Sequence, residues 1–153
     1  MLDKMITPTI FELAIAEWGS ANYFQSLALR YGILRRPLGI FFDSKGFDAE
    51  KNDIHVVAKW GEWVVGCLIL KDHGVAFKMR QVAVLDDWQG NGVGKKMVLY
   101  SEKIARDLGK TTIVLHARQS AIPFYLTLNY NIEGDEFEEI GLPHRSMYKL
   151  IGR

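Results

Sequence analysis

Between residues 82 and 96 a run of apolar residues passes into a glycine-rich turn and then directly into a helix. The segment reads Val82-Ala83-Val84-Leu85-Asp86-Asp87-Trp88-Gln89-Gly90-Asn91-Gly92-Val93-Gly94-Lys95-Lys96. Glycine has no Cβ, so ligand atoms can approach its backbone closely. The first N–H groups of a helix lack an internal partner and carry the positive end of the helix dipole. Turn and helix start together form a cradle for phosphate oxygens, with Lys95 and Lys96 adding charge beside it. The other reading of the same residues is a glycine-rich turn with a structural role only.

The flanking periodicities place this unit in a mixed sheet. Tyr23, Phe24, Leu27, Tyr31 and Leu34 recur at three and four, which predicts a helix over Ala21 to Arg36, stopped by Pro37. Leu38 to Asn52 reads as loop. Ile54 to Lys59, Trp63 to Lys71 and Val75 to Leu85 read as strands, joined by turns at Trp60-Gly61-Glu62 and Asp72-His73-Gly74. Gly92 to Leu108 is a long helix with Val93, Met97, Tyr100, Ile104 and Leu108 on one face, ended by Gly109. A strand at Thr111 to His116, a helix at Ala121 to Leu128 capped by Ser120, and strands at Asn131 to Glu139 and His144 to Ile151 complete the chain. A further short strand is expected at Thr9 to Leu13. Antiparallel hairpins followed by a βαβ unit predict an α+β (mixed α/β) fold, a mixed sheet flanked by helices. At 153 residues, one domain over 1–153 is the expectation.

Composition narrows the function classes. Lys and Arg number 19 and Asp and Glu 18, without a basic stripe, which argues against a nucleic-acid partner. No apolar run approaches the ~20 residues of a membrane span. Asp3 stands where a signal peptide would be basic, and the single cysteine, Cys67, forms no internal disulfide. The expectation is a reduced, cytoplasmic protein without a membrane partner. One cysteine, and no paired-histidine spacing, predict no catalytic metal.

Three phosphate-binding signatures compete for the turn. The dinucleotide pattern G-x-G-x-x-G fails because Lys95 stands at its third glycine. The P-loop pattern fails because Gln89 and Lys96 stand at its first Gly and its Ser/Thr, which counts against a nucleotide switch. What remains is Gln89-x-x-Gly92-x-Gly94. It resembles the pyrophosphate motif of the GNAT family of N-acetyltransferases, Arg/Gln-x-x-Gly-x-Gly/Ala between a strand and a long helix. Ala121-Ile122-Pro123-Phe124-Tyr125, ending at Asn129-Tyr130, resembles the family's next motif, with Asn129 replacing a glycine. Asn is the next most tolerant residue for a left-handed helix end. Phe137-Glu138-Glu139-Ile140-Gly141-Leu142-Pro143-His144 through Met147 is similar to the ending of the ElaA-like branch. The resemblance is specific from Arg80 to Met147 and weak before Ile54.

The resemblance implies a splayed sheet that admits acetyl-CoA. Its cofactor contacts would be Val82, Ala83 and Val84 on the strand, Gln89, Gly90, Asn91, Gly92, Val93, Gly94 and Lys95 on the turn, and Tyr125. It implies an enzyme transferring acetyl directly to a primary amine of a small molecule or protein. A non-catalytic acyl-CoA sensor of the same fold is the alternative, and a homodimer is compatible with either. Tyr125 matches the family tyrosine that protonates the departing thiolate. A phenol at ~10 and a thiol at ~8.5 make that transfer modestly uphill. Packing is the alternative role for its ring.

The general base is not readable. The family often places a Glu on the central strand, where this chain has Arg80 and Gln81. His73 is expected exposed in a turn, His55 begins a strand, and His116 reads as a core or backbone-bonded residue beside the cleft. His144 is the histidine to which the branch resemblance points, and an ordered water could serve equally. Glu133, Asp135, Glu136, Glu138 and Glu139 read as a solvated edge, though such a patch could steer a cationic amine. Trp60, Trp63 and Trp88 read as hairpin or core packing rather than a substrate pocket. Arg30, Asp53 and His55 are expected to serve the fold or the acceptor rather than the cofactor.

Overall fold

The computed structural model describes residues 10–39 and 44–152. Its strands are β1 (Glu12–Ala16), β2 (Ile54–Trp60), β3 (Trp63–His73), β4 (Ala76–Val84), β5 (Thr112–Arg118), β6 (Asn131–Glu139) and β7 (Leu142–Leu150). They form one sheet in the order β1-β2-β3-β4-β5-β7-β6. The helices are α1 (Ala21–Arg30), α2 (Ser44–Ala49), α3 (Val93–Asp107) and α4 (Ile122–Thr127). β4 and β5 run parallel, and every other pairing is antiparallel. The parallel pair requires a crossover, which is α3 with its glycine-rich entry.

Alternation along the central strands divides the core between two faces. Val56, Ala58, Leu68 and Leu70 point to the face covered by Val93, Met97, Val98 and Ala105 of α3. Val57, Cys67 and Ala83 point to the other face, against Leu29 of α1. Each fully buried aliphatic side chain contributes about 1.5–3 kcal/mol, so these strands are the most strongly held part of the molecule. Gly66 lets α3 approach β3, since a Cβ there would lie 2.9 Å from Val93 Cγ1.

Four local expectations are corrected. The helix expected over Ala21 to Arg36 is α-helical only to Arg30, then π-wound over Tyr31–Arg35 and 3-10 over Arg36–Leu38. Pro37 offers no N–H, and Gly39 at φ 71° turns the chain away. Within the stretch read as loop lies α2, whose six residues include Gly46 and leave little periodicity to read. The first strand, expected over Thr9 to Leu13, runs from Glu12 to Ala16 among the described residues, and Thr9 lies outside them. Ser120 does not cap α4: a 3-10 turn at Gln119–Ala121 leads into it, and no side chain caps the helix. Asn129 does adopt the left-handed conformation expected of it, at φ 70°.

The feature that builds the site is the parting of β4 from β5. They pair from Ala76 with Thr112 to Met79 with Leu115, and no further. β5 continues beside β7 as far as Arg118 with His144. β4 continues beside β3 after gaining one residue, since Ile69 pairs with Arg80 but Cys67 with Ala83. Gln81, at φ 53°, sits in that bulge. A bulge bends its strand and increases the local twist. β4 therefore leans away from β5, and a gap opens in the middle of the sheet.

Candidate active site

The glycine-rich turn has the geometry of an anion cradle. Gly90 and Gly92 adopt φ 81° and 82°, which L side chains rarely do, and Gly92 is the N-cap of α3. No side chain caps the helix, and no acidic residue occupies its first turn. The first intrahelical bond is donated by Lys96 N to Gly92 O at 3.0 Å, so the N–H groups before it face outward. A Cβ on Gly94 would lie 3.3 Å from Phe124 Cζ, so only glycine leaves this wall open. Gln89 fixes the turn: its Nε2 donates to Val84 O at 3.0 Å and to Asp86 Oδ1 at 3.3 Å. Lys95 is exposed beside the turn.

Two lobes of one cleft meet in the sheet gap. The first, about 440 Å³, runs from the turn along Val82, Ala83 and Val84 to Phe124 and Tyr125, with Ile33 above it. The second, about 200 Å³, is lined by Leu34, Arg35, His116, Arg118, Glu139 and His144. Val82, Ala121 and Tyr125 line both. Leu85 N donates to Val65 O at 2.9 Å. Strand alternation therefore turns the N–H groups of Val84 and Val82 away from β3, toward the gap. The π segment supplies Ile33 to one lobe and Leu34 and Arg35 to the other, in keeping with the frequency of π turns at functional sites.

Tyr125 is 6% exposed, and its ring meets Phe124 and Tyr130 edge-on at 5.0 and 5.7 Å. The packing and cleft-lining roles thus coexist in one residue. Burial raises its phenol above the ordinary value, so it stays protonated at neutral pH and has a proton to donate.

The second lobe holds a histidine–carboxylate cluster. His116 Nδ1 and Glu139 Oε1 are 2.9 Å apart, and His144 Nε2 lies 3.7 Å from Glu139 Oε2. His144 is buried, and its Nδ1 donates to Leu142 O at 2.9 Å, which leaves Nε2 as the nitrogen toward Glu139. Burial alone would raise the Glu139 carboxyl. The His116 hydrogen bond and the nearby His116, His144 and Lys78 outweigh it and hold that carboxyl below the ordinary range.

This corrects the reading of His116 as a core residue: it is one-third exposed and paired with a carboxylate. Glu133, Asp135, Glu136, Glu138 and Glu139 are all exposed, as expected of a solvated edge, and Glu139 in addition lines the second lobe. Arg35, Arg118 and Ile33 were not singled out. They come from a helix end and a strand end far apart in sequence, and no spacing announces their meeting. Trp60 and Trp63 are exposed hairpin residues, and Trp88 is buried and lines the first lobe. Arg30 and His55 lie in a buried network around Glu50, away from the glycine turn. Among the described residues, no three His, Cys, Asp or Glu side chains converge as a metal shell. No described helix is long and apolar enough to cross a membrane.

Comparison with known proteins agrees with this geometry. The acetyltransferase (GNAT) domain family matches residues 44–151. The uncharacterized N-acetyltransferase YjcF of Bacillus subtilis (strain 168) is 31% identical over 103 residues, covering 67% of this chain and 74% of that protein. YyaT of the same organism is 36% identical over 80 residues, covering 52% of this chain and about half, 54%, of its own length. Escherichia coli ElaA superposes with a TM-score of 0.77 at 17% identity, covering 92% of this chain and 99% of that one. An aminoglycoside 6'-N-acetyltransferase complexed with coenzyme A gives a TM-score of 0.77 at 19% identity, covering 92% and 97%. The turn, the parted strands and these matches together show that the chain belongs to the GNAT family of acetyltransferases.

Proposed function

We propose that this chain transfers an acetyl group from acetyl-CoA to a primary amine by direct attack, with CoA in the lobe of the glycine turn and the amine in the lobe of His144. The observation that carries the reading is the meeting of both lobes at Val82, Ala121 and Tyr125. The fit to CoA rests on the outward N–H groups at the start of α3 and on Gly94, where any side chain would narrow the cradle. Gln89, Gly90, Asn91, Gly92, Val93, Gly94 and Lys95 would hold the pyrophosphate, and the Val82–Val84 backbone the pantetheine amides. Bound acetyl-CoA supplies the activated thioester.

The chain's own residues then have three tasks. The N–H group turned toward the gap at Val82, the strand residue that lines both lobes, donates to the oxygen that gains charge during attack, which leaves that of Val84 for pantetheine. Tyr125 Oη holds a proton for the departing sulfur. His144 Nε2, with Nδ1 fixed on Leu142 O, accepts the proton lost by the amine. The same reading takes residues 1–153 as one domain, working in the cytoplasm.

Thiol release from acetyl-CoA with a panel of primary amines tests the function. Amine-dependent release is expected. CoA binding without turnover on any amine would instead favour the sensor alternative.

A further inference from the structure

The wall of the second lobe carries an excess of positive charge that the acetyl transfer itself does not need. Arg35 and Arg118 line the lobe, and Lys78 and Arg80 line a recess of about 260 Å³ that shares Arg35, Gln81, His116 and Glu139 with it. Among the described residues Glu139 is the only carboxylate on either wall, and it is already engaged by His116. Among the described residues, none of these four cations enters an ion pair. The guanidinium of Arg118 is nevertheless fixed, because its Nη2 donates to Leu34 O at 3.1 Å, which leaves further N–H groups for a ligand. Arg35 is half-buried, and burial followed by the like charges of Arg118, Arg80 and Arg30 lowers its pKa. A like-charged cluster on a partly dry wall is unfavourable until an anion enters it.

Resting on the reading of this lobe as the acceptor side, we propose that the acceptor is a small primary amine that also carries a carboxylate, with the carboxylate seated on Arg35 and Arg118 and the amine directed toward Glu139 and His144. A planar guanidinium matches a carboxylate with two parallel hydrogen bonds, which a neutral or cationic amine would leave unmade. The volume of about 200 Å³ suits an amino-acid-sized group. The wall repels a polycationic acceptor, whose charges would face Arg35, Arg80, Arg118 and Lys78.

Binding of product analogues to the CoA-loaded protein tests this without requiring turnover. Calorimetry would compare N-acetylglycine with N-acetylglycinamide, in wild type and in Arg35→Gln and Arg118→Gln, each checked for folding by circular dichroism. The acid should bind at least about tenfold more tightly than the amide in wild type, and the difference should collapse in either folded variant. Equal binding of acid and amide, or a preference that survives both substitutions, overturns the proposal. In parallel, thiol release would compare β-alanine with propylamine, 1,3-diaminopropane and phosphoethanolamine. A higher kcat/KM for β-alanine than for the other three supports the proposal. A preference for any of the other three overturns it while leaving acetyl transfer standing. Acid-selective, arginine-dependent binding with no release on any amine supports the carboxylate site and counts against the catalytic reading instead.

Discussion

Arg30 Nη1 donates to Gln81 Oε1 at 3.0 Å, tying a buried guanidinium on α1 to the positive-φ residue in the bulge of β4. The same guanidinium makes a fork to Glu50, with Nη1 3.0 Å from Oε2 and Nη2 on Oε1. Glu50 Oε1 also accepts from Tyr23 Oη at 2.6 Å, and the Glu50 carbonyl accepts from His55 Nε2 at 2.8 Å. The residue that bends the sheet open is thus held by a polar cluster inside the molecule.

Removing the cation from that cluster should be severe. Arg30→Leu leaves Glu50 buried without its charge partner, which typically costs about 3–5 kcal/mol. Urea unfolding should show a loss of that size, and Arg30→Leu with Glu50→Gln should recover part of it. A single-variant loss below about 1 kcal/mol would mean that the pair is not the buried, mutually dependent unit described.

Acid should weaken the same cluster. Burial alone would raise the Glu50 carboxyl, but the hydrogen bonds from Arg30 and Tyr23 outweigh it and hold it below the ordinary range. A depressed folded pKa stabilises the fold fully above the unfolded value of ~4.3, and the benefit is lost as pH falls through the lower folded value. The urea midpoint should therefore drop more steeply in wild type than in Glu50→Gln as pH falls below about 4.3. Parallel curves for the two would remove Glu50 from the acid response.

Tyr125→Phe keeps the packed ring and deletes only the hydroxyl. Loss of a proton donor lowers kcat by roughly 10²–10⁴-fold. Acetyl-CoA affinity should change little, because the interaction strengthens only as charge develops on sulfur. Wild-type turnover under conditions where chemistry is rate-limiting would reduce Tyr125 to packing.

Gly94→Val places a branched side chain where the cleft wall is bare and Phe124 is already close. CoA affinity, read by calorimetry on a variant with wild-type circular dichroism, should fall at least about tenfold if the helix start holds phosphate. Unchanged affinity would move the pyrophosphate elsewhere.

Cys67 should be inert in the folded protein. It is 2% exposed, and burial pushes its thiol up to about 12. Reaction with a thiol reagent at pH 8 should be at least about 10³-fold slower than in urea, where the thiol returns to ~8.5. Rapid labelling without denaturant would show that the α1 face opens readily.

The elements with strong local signals were legible in sequence. β2, β3 and β4 follow their Val and Ile runs, α3 follows its spaced apolar face and Gly109, and Asn129 ends α4 in the expected conformation. The glycine turn was legible because its chemistry is local. The bulge at Gln81 was not, since glutamine has no preference for positive φ and Arg30 reaches it from 51 positions away. The π winding at Tyr31–Arg35 shares its residues with an ordinary helix and only changes the hydrogen-bond partner. Glu139 was hidden among similar neighbours, and what distinguishes it is the position of His116 on β5, a matter of sheet order.

β4 stands fourth of seven strands, yet from Gln81 onward it has a neighbour on one side only. It is an edge set inside the protein. An ordinary edge invites any strand that collides with it, including one from another copy of the chain. This one is flanked by α4, through Phe124 and Tyr125, and by the π segment, through Ile33. The amides of Val82 and Val84 should accordingly exchange with solvent deuterium far faster than those of Leu68 or Phe77, although all four sit in the same sheet. A ligand rich in amide groups would slow them selectively. The fold thus keeps one unfinished row of hydrogen bonds in the middle of its own sheet.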